Sequence, residues 1–252
     1  MTDKTTPWYE DFYGRDYVQA LVPSLTNSVK EAEFAVKTLG MKPGDQVLDL
    51  CCGQGRHAVL LAAKGIAITG QDQSAEYLSD ARKAAKNTGV DLPLVQSDMR
   101  DIPFEGEFDY VINMFTSFGY FDSDEDDLKV LNEIAESLKP GGQLLIDLIN
   151  RDWVIENNEE FDRRVNDDGT VILEQRNLNL RTNRNEVSFT IIDPDGTQRE
   201  SFGHRIHLYT LDEVTQMMSQ SGIEFQRAYG GFDSEPYSPS SRRMIVVARK
   251  PY

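Results

Sequence analysis

From residue 46 to residue 149, short apolar runs alternate with stretches of helical period. The runs 46–50, 66–71, 93–97, 108–114 and 142–149 show little polar alternation, which predicts strands buried on both faces. Between them, 56–64, 75–87 and 124–138 space their apolar residues three and four apart, as a helix with one buried face does. Strand and helix in turn are the pattern of a parallel sheet covered on both sides. A helix from about 27 to 39 precedes it, with Val29, Ala32, Phe34, Ala35, Val36 and Leu39 apolar. Lys42-Pro43-Gly44-Asp45 then breaks the chain before the first strand. Asp124, Glu125, Asp126 and Asp127 suit the positive end of the helix at 124–138, and Lys139-Pro140-Gly141-Gly142 stops it.

Beyond residue 150 the period changes to two. Segments 170–181, 186–193 and 199–209 alternate, separated by the turn-like Thr182-Asn183-Arg184-Asn185 and by Asp193-Pro194-Asp195-Gly196. They predict a three-stranded antiparallel meander inserted into the α/β unit. A helix at 211–221 and strands at 223–229 and 243–249 resume the earlier grammar. With no internal repeat or low-complexity linker, residues 1–252 read as one domain. It comprises an N-terminal helical arm (1–40), a ligand-binding core (41–150), the antiparallel insertion (151–210) and a segment completing the sheet (211–252). Within the arm, residues 7–17 are aromatic and charged, and either pack on the core or form a lid.

Charge narrows the partners. The chain carries 42 Asp and Glu against 26 Lys and Arg, a net charge of −16. Such a surface repels nucleic-acid backbones and anionic lipid, so neither partner is expected. Cys51 and Cys52 are adjacent, which suits neither a disulfide framework nor a metal site and fits a reducing, cytoplasmic setting. No apolar run approaches the ~20 residues of a membrane span.

Candidate chemistry concentrates in Val47-Leu48-Asp49-Leu50-Cys51-Cys52-Gly53-Gln54-Gly55-Arg56-His57. A buried strand ends near a carboxylate, breaks at two glycines and enters a helix, the arrangement that lets a nucleotide-like ligand approach backbone N–H groups. Gly53-x-Gly55-x-x-Ala58 satisfies the dinucleotide pattern, with Asp72 placed for ribose hydroxyls. Asp49 opposes that choice, because a carboxylate ahead of the turn sits poorly beside a pyrophosphate. It suits a ligand with an ammonium group and no phosphate.

Four motifs in order then carry a resemblance. Val47–Gly55, Gly70-Gln71-Asp72-Gln73-Ser74, Ser97-Asp98-Met99 and Leu138-Lys139-Pro140-Gly141-Gly142 resemble the class I S-adenosyl-L-methionine (SAM)-dependent methyltransferases. The resemblance implies a doubly wound, mostly parallel, seven-stranded Rossmann-like sheet with SAM as cofactor and S-adenosyl-L-homocysteine as product. It implies that Asp49, Cys51 and Gly53 face the methionyl end, Cys51 standing at the usual first glycine, with Gly55 opening the helix. Asp72 would take the ribose hydroxyls, Gln73 would pack beside the adenine, and Asp98 with the Met99 N–H would hold the adenine edge. Asn113 and Met114 would lie beside the methionyl chain. Asp98–Asp101, the run Asn113–Tyr120 and the strand array at 170–209 are similar to small-molecule N-methyltransferases, above all the nucleotide-sugar amine and glycine types. Tyr13-Gly14-Arg15-Asp16-Tyr17 resembles the arm of the former, which places Tyr13 and Arg15 among the cofactor residues.

The expected acceptor is therefore a small molecule, with an amine nitrogen preferred over a hydroxyl and the protein a monomer or homodimer. A hydroxyl acceptor would benefit from a base, and the candidates are Tyr120, His57 and His207. Phe118 and Tyr120 follow the fourth strand where an acceptor would arrive. On the strand through 202–209, Arg205, His207 and Tyr209 share one face, which either meets solvent or reads a polar acceptor. Arg242 and Arg243 carry the same alternatives. No His, Cys and carboxylate group has metal spacing, so no metal is expected.

Overall fold

The computed structural model describes residues 25–252. Tyr13 and Arg15, with the arm at 7–17, lie outside the described residues. Helix α1 (Leu25–Leu39) precedes β1 (Gln46–Leu50), α2 (Arg56–Ala63), β2 (Ala67–Asp72), α3 (Ala75–Thr88) and β3 (Leu94–Gln96). The alternation continues through β4 (Phe108–Asn113), α4 (Asp124–Ser137) and β5 (Leu138–Ile149). A short helix α5 (Arg151–Glu156) leads into β6 (Phe161–Val165), β7 (Val171–Asn179), β8 (Arg184–Ile192) and β9 (Gln198–His207). Helix α6 (Leu211–Gln220), β10 (Glu224–Tyr229) and β11 (Arg243–Arg249) end the chain.

Seven strands form one sheet in the order β10-β11-β5-β4-β1-β2-β3, with β11 antiparallel to both neighbours and the β5-β4-β1-β2-β3 pairs parallel. Alternate residues of each central strand face opposite layers. Leu48, Leu50, Val111, Leu144, Ile146 and Val246 meet α4 and α6 through Val130, Leu131, Ile134, Val214 and Met218. Val47, Ile68, Ile112, Leu145, Ile245 and Val247 meet α1 and α2 through Ala32, Phe34, Ala35, Ala58 and Leu61. Burial on both faces explains the uninterrupted apolar runs. Strand order reverses between β1 and β4, which opens a crevice outside their carboxyl ends.

The insertion departs from the expected three strands. It is a four-stranded antiparallel sheet, β6-β7-β8-β9, preceded by α5. Strand β6 has all five residues exposed, so no buried face marks it in the sequence. The expected turn at 182–185 is also shorter. Arg184 and Asn185 already belong to β8 and are buried, because the Arg184 guanidinium donates to the Phe121 carbonyl at 2.7 Å. Tertiary contact there overrides turn-like composition.

The two sheets are joined at Gly119, in the loop after β4. Its carbonyl accepts from His207 N at 2.7 Å, at the end of β9. Its φ is +97°, and a Cβ would lie 2.8 Å from the His207 carbonyl oxygen. Gly119→Ala is therefore expected to lower stability by about 2 kcal/mol or more. Urea denaturation measures this, and hydrogen exchange should show faster opening at 204–209.

Candidate active site at the carboxyl ends of the parallel strands

Strand β1 delivers Asp49 to the crevice at 1% exposure. Its Oδ2 has no hydrogen-bond partner, and burial raises the carboxyl to about 6 although the charges of His57 and Arg56 oppose the rise. The chain then turns sharply. Cys51 takes a left-handed φ of 62°, a conformation that costs an ordinary residue about 1–2 kcal/mol. Its Sγ lies 3.6 Å from the Met99 sulfur, and the next amide, Cys52 N, donates to Gln71 O at 3.0 Å. Gly53 and Gly55 are both left-handed. At Gly55, the N-cap of α2, a Cβ would stand 3.0 Å from that of Ala81 on α3, so glycine lets the helix start sit against its neighbour.

Asp72 at the end of β2 organises the loop. Its Oδ2 accepts from Gly53 N and its Oδ1 from Ser74 N, each at 2.9 Å. Each carboxylate oxygen retains acceptor capacity for a ligand hydroxyl. Burial raises this carboxyl, with the Ser74 and Gly53 amides opposing. Gln73 accepts from Gln96 through its backbone carbonyl. Asp98 is gripped by Arg100 through the backbone amide at 2.8 Å, Nε at 3.1 Å and Nη2 at 2.9 Å. Burial pushes Asp98 upward, and the Arg100 contacts outweigh it and hold the carboxyl below its usual range. Arg100 also reaches Asp126 and lies 4.1 Å from the Phe121 ring centroid. Sequence reasoning did not single out Arg100. The spacing Asp98-x-Arg100 was its signal.

At the end of β4, Asn113 donates from Nδ2 to Leu50 O at 3.1 Å and leaves its Oδ1 buried and unpartnered. Met114 is buried beside it. Phe115 and Thr116 are both left-handed, with φ of 63° and 57°. A buried ion pair holds this strained pair of residues. Asp147 accepts from Phe115 N at 2.8 Å through Oδ2, from Thr116 N at 2.8 Å through its carbonyl, and from Arg243 Nε at 2.7 Å through Oδ1. Arg243 donates again to the Thr116 hydroxyl at 3.0 Å. Arg243 thus pins the loop, where its sequence context allowed either a solvated side chain or a reader of substrate, and Asp147 was missed because it sits within an apolar run.

The remaining candidates fall elsewhere. His57 faces Glu31 at 2.7 Å on the α1 side. Phe118 is in the core, tilted against Tyr209 at 5.5 Å. Tyr120 is partly buried against the core clusters. Tyr209 is buried as well, beyond the end of β9, where strand alternation no longer governs it. Its hydroxyl donates to Asp127 at 2.7 Å, and burial lifts that carboxyl to about 7. His207 stacks on Tyr209 at 4.1 Å with Nδ1 3.3 Å from Asp124, and burial holds it below the usual imidazole range. His207 and Tyr209 line a groove of about 300 Å³ between α4 and α6, with Asp124, Glu213 and Met217, which Asp49, Asp72 and Asp98 do not line. Arg205 pairs with Asp122 and Glu186, and Arg242 stands over the Trp153 ring.

Asp49, Asp72 and Asp98 therefore converge around one glycine loop, whereas His207, Tyr209 and Arg205 belong to the junction with the second sheet. An unmet buried carboxylate oxygen, a second carboxylate already oriented by two amides, and a close-approach loop fit a cationic nucleoside that carries free ribose hydroxyls. Among the described residues, no group of three or more His, Cys, Asp and Glu is disposed to hold a metal, and no helix is long and apolar enough to cross a membrane.

Known proteins agree with this geometry. Residues 47–142 match the methyltransferase domain family. The chain is 29% identical to a dTDP-3-amino-3,4,6-trideoxy-α-D-glucopyranose N,N-dimethyltransferase of Streptomyces venezuelae, over 79% of this chain and 81% of that one. It is 33% identical to a glycine/sarcosine N-methyltransferase of Aphanothece halophytica, over 58% of each. The CcbJ methyltransferase of Streptomyces caelestis shares the fold at a TM-score of 0.81 and 20% identity, over 93% of this chain and 95% of that one. With its glycine loop, strand-end carboxylates and matched domain, the chain belongs to the SAM-dependent methyltransferases.

Proposed function

We propose that the chain methylates an amine nitrogen of a small-molecule acceptor. SAM supplies an activated methyl on a sulfonium, so transfer depends on orientation and exclusion of water more than on acid–base help. In this reading Asp49 takes the cofactor ammonium and Asp72 both ribose hydroxyls. Asp98 and the Met99 amide hold the adenine edge, with Gln73 beside the ring. Cys51, Gly53 and Gly55 let the backbone close on the methionyl chain, and Asn113 and Met114 border it. The acceptor enters over the loop 115–121, whose backbone Asp147 and Arg243 hold.

The observation that carries the choice of nitrogen is where the imidazoles are. The chain has three histidines. His57 is held by Glu31, His204 is enclosed in the insertion sheet, and His207 lies between Asp124 and Tyr209. From Asn113 at the end of β4 through the loop to Phe121 there is no charged residue, and the phenol of Tyr120 is the one candidate base among them. A neutral amine attacks a sulfonium methyl without a strong base, whereas a hydroxyl benefits from one. The amine-methylating activities named for the Streptomyces venezuelae and Aphanothece halophytica relatives support the same reading.

Three outcomes are expected. Asp72→Ala should weaken SAM binding at least about 100-fold, since it removes two charge-assisted hydrogen bonds, and isothermal titration measures this. Affinity for SAM should also fall about tenfold per pH unit below about 6. Only ionised Asp49 attracts the ammonium, so binding is complete above its free-protein value and is lost as the pH falls through it. Asp49→Asn should bind weakly at every pH and lack this slope. Finally, a SAM-consumption screen over amine, amino-sugar, phenol and peptide acceptors, followed by mass analysis, should yield N-methylated amines. A product methylated only on oxygen would overturn the proposal.

A further inference from the structure

Arg56 opens α2 directly behind the glycine loop, and its guanidinium meets two different surroundings. Nη1 donates to the Ser28 hydroxyl at 3.0 Å and pairs with the Glu31 carboxylate on α1, which also holds His57 Nε2 at 2.7 Å. Nη2 is buried and has no hydrogen-bond partner. The guanidinium carbon lies over the Phe115 ring, 5.0 Å from its centroid, which sets the group between the start of α2 and the loop after β4. Its charge also reaches Asp49, where it opposes the effect of burial. A buried and a half-buried charge of opposite sign thus border the loop, each with one buried, unmet atom, Oδ2 of Asp49 and Nη2 of Arg56. They are not bonded to each other, although a direct pair would have satisfied both.

We infer that Arg56 is the carboxylate-binding residue of the cofactor site, so that the amino-acid end of SAM lies with its ammonium on Asp49 and its carboxylate on Arg56. The inference rests on the SAM-binding role of the glycine loop and adds a residue to it. A zwitterion is the ligand class that fits. An amine alone leaves Nη2 unmet, and a carboxylate alone leaves Oδ2 unmet. The planar fork of arginine permits the division, because Nη1 engages α1 while Nη2 remains directed elsewhere. Glu31 then acts as a positioning residue that fixes the guanidinium without occupying it.

Isothermal titration of the full-length protein with three ligands separates this role from a structural one. SAM carries both charges, decarboxylated SAM keeps the ammonium alone, and 5′-methylthioadenosine has neither. The unaltered protein should prefer SAM to decarboxylated SAM by about 10- to 100-fold. Arg56→Gln should bring that ratio close to one and leave the affinity for 5′-methylthioadenosine unchanged, which also reports that the variant is folded. Arg56→Lys, which keeps the charge without the fork, should restore part of the preference. Equal weakening of all three ligands in both variants, or a preserved preference in Arg56→Gln, would overturn the inference. If the unaltered protein bound none of the three, the cofactor role itself would fall and the inference with it. That failure shows in the wild-type titration, before any variant is compared.

Discussion

A carboxylate held out of water at the end of a buried strand, with one oxygen unmet, is the constraint around which the site is built. Asp49 cannot be satisfied by β1, whose backbone is committed to β2 and β4. Nor does it bond to Arg56, whose Nη1 is engaged by Ser28 and Glu31 on α1. An isolated ionised carboxylate in such surroundings shifts toward its neutral form, and it does so here. A cationic ligand reverses that shift by supplying the missing partner. The fold thus leaves a buried acceptor unmet at the point where strand order reverses, which is where the proposed cofactor would bring its ammonium.

The opposite wall of the crevice is made by a different means. Phe115 and Thr116 adopt consecutive left-handed conformations, each of which costs of order 1–3 kcal/mol for a residue with a side chain. They persist because Asp147 and Arg243 over-determine them through backbone and hydroxyl contacts. Removing one member of this ion pair would leave the other buried and uncompensated and free the loop it holds. Strands β5 and β11, which supply the two residues, are antiparallel neighbours, with β11 next to the edge strand β10. The loop after β4 therefore takes its shape from a contact between two strands of the sheet.

How much of this was legible in the sequence depends on whether a residue obeys a local rule. The parallel half was legible because two-sided burial produces apolar runs of strand length, with Asp49, Asp72 and Asn113 at or next to their ends. The glycine loop was legible because its turn demands residue types in a fixed order. Strand β6 was not, because an edge strand with every residue exposed shows no alternation. Arg184 was read as part of a turn, since its burial depends on the Phe121 carbonyl, 63 residues earlier in the chain. Asp147 and Arg243, 96 positions apart, have no sequence signal that links them. Tyr209 was assigned a face by strand alternation just beyond the point where the strand stops.

The two adjacent cysteines acquire a meaning from their surroundings. A sulfonium methyl donor alkylates good nucleophiles, and a thiolate is among the best that a protein offers. Cys51 and Cys52 stand in the very loop that, in the proposed reading, closes on that donor. Burial raises both thiols well above their usual value, and the neighbouring carboxylates, Asp72 and Asp49 at both and Asp98 at Cys51, raise them further. Both sulfurs are thereby biased toward the thiol, the poorer nucleophile. In the proposed reading, the acidic lining that attracts the cofactor's positive charge also disfavours the thiolate form of the two cysteines beside it.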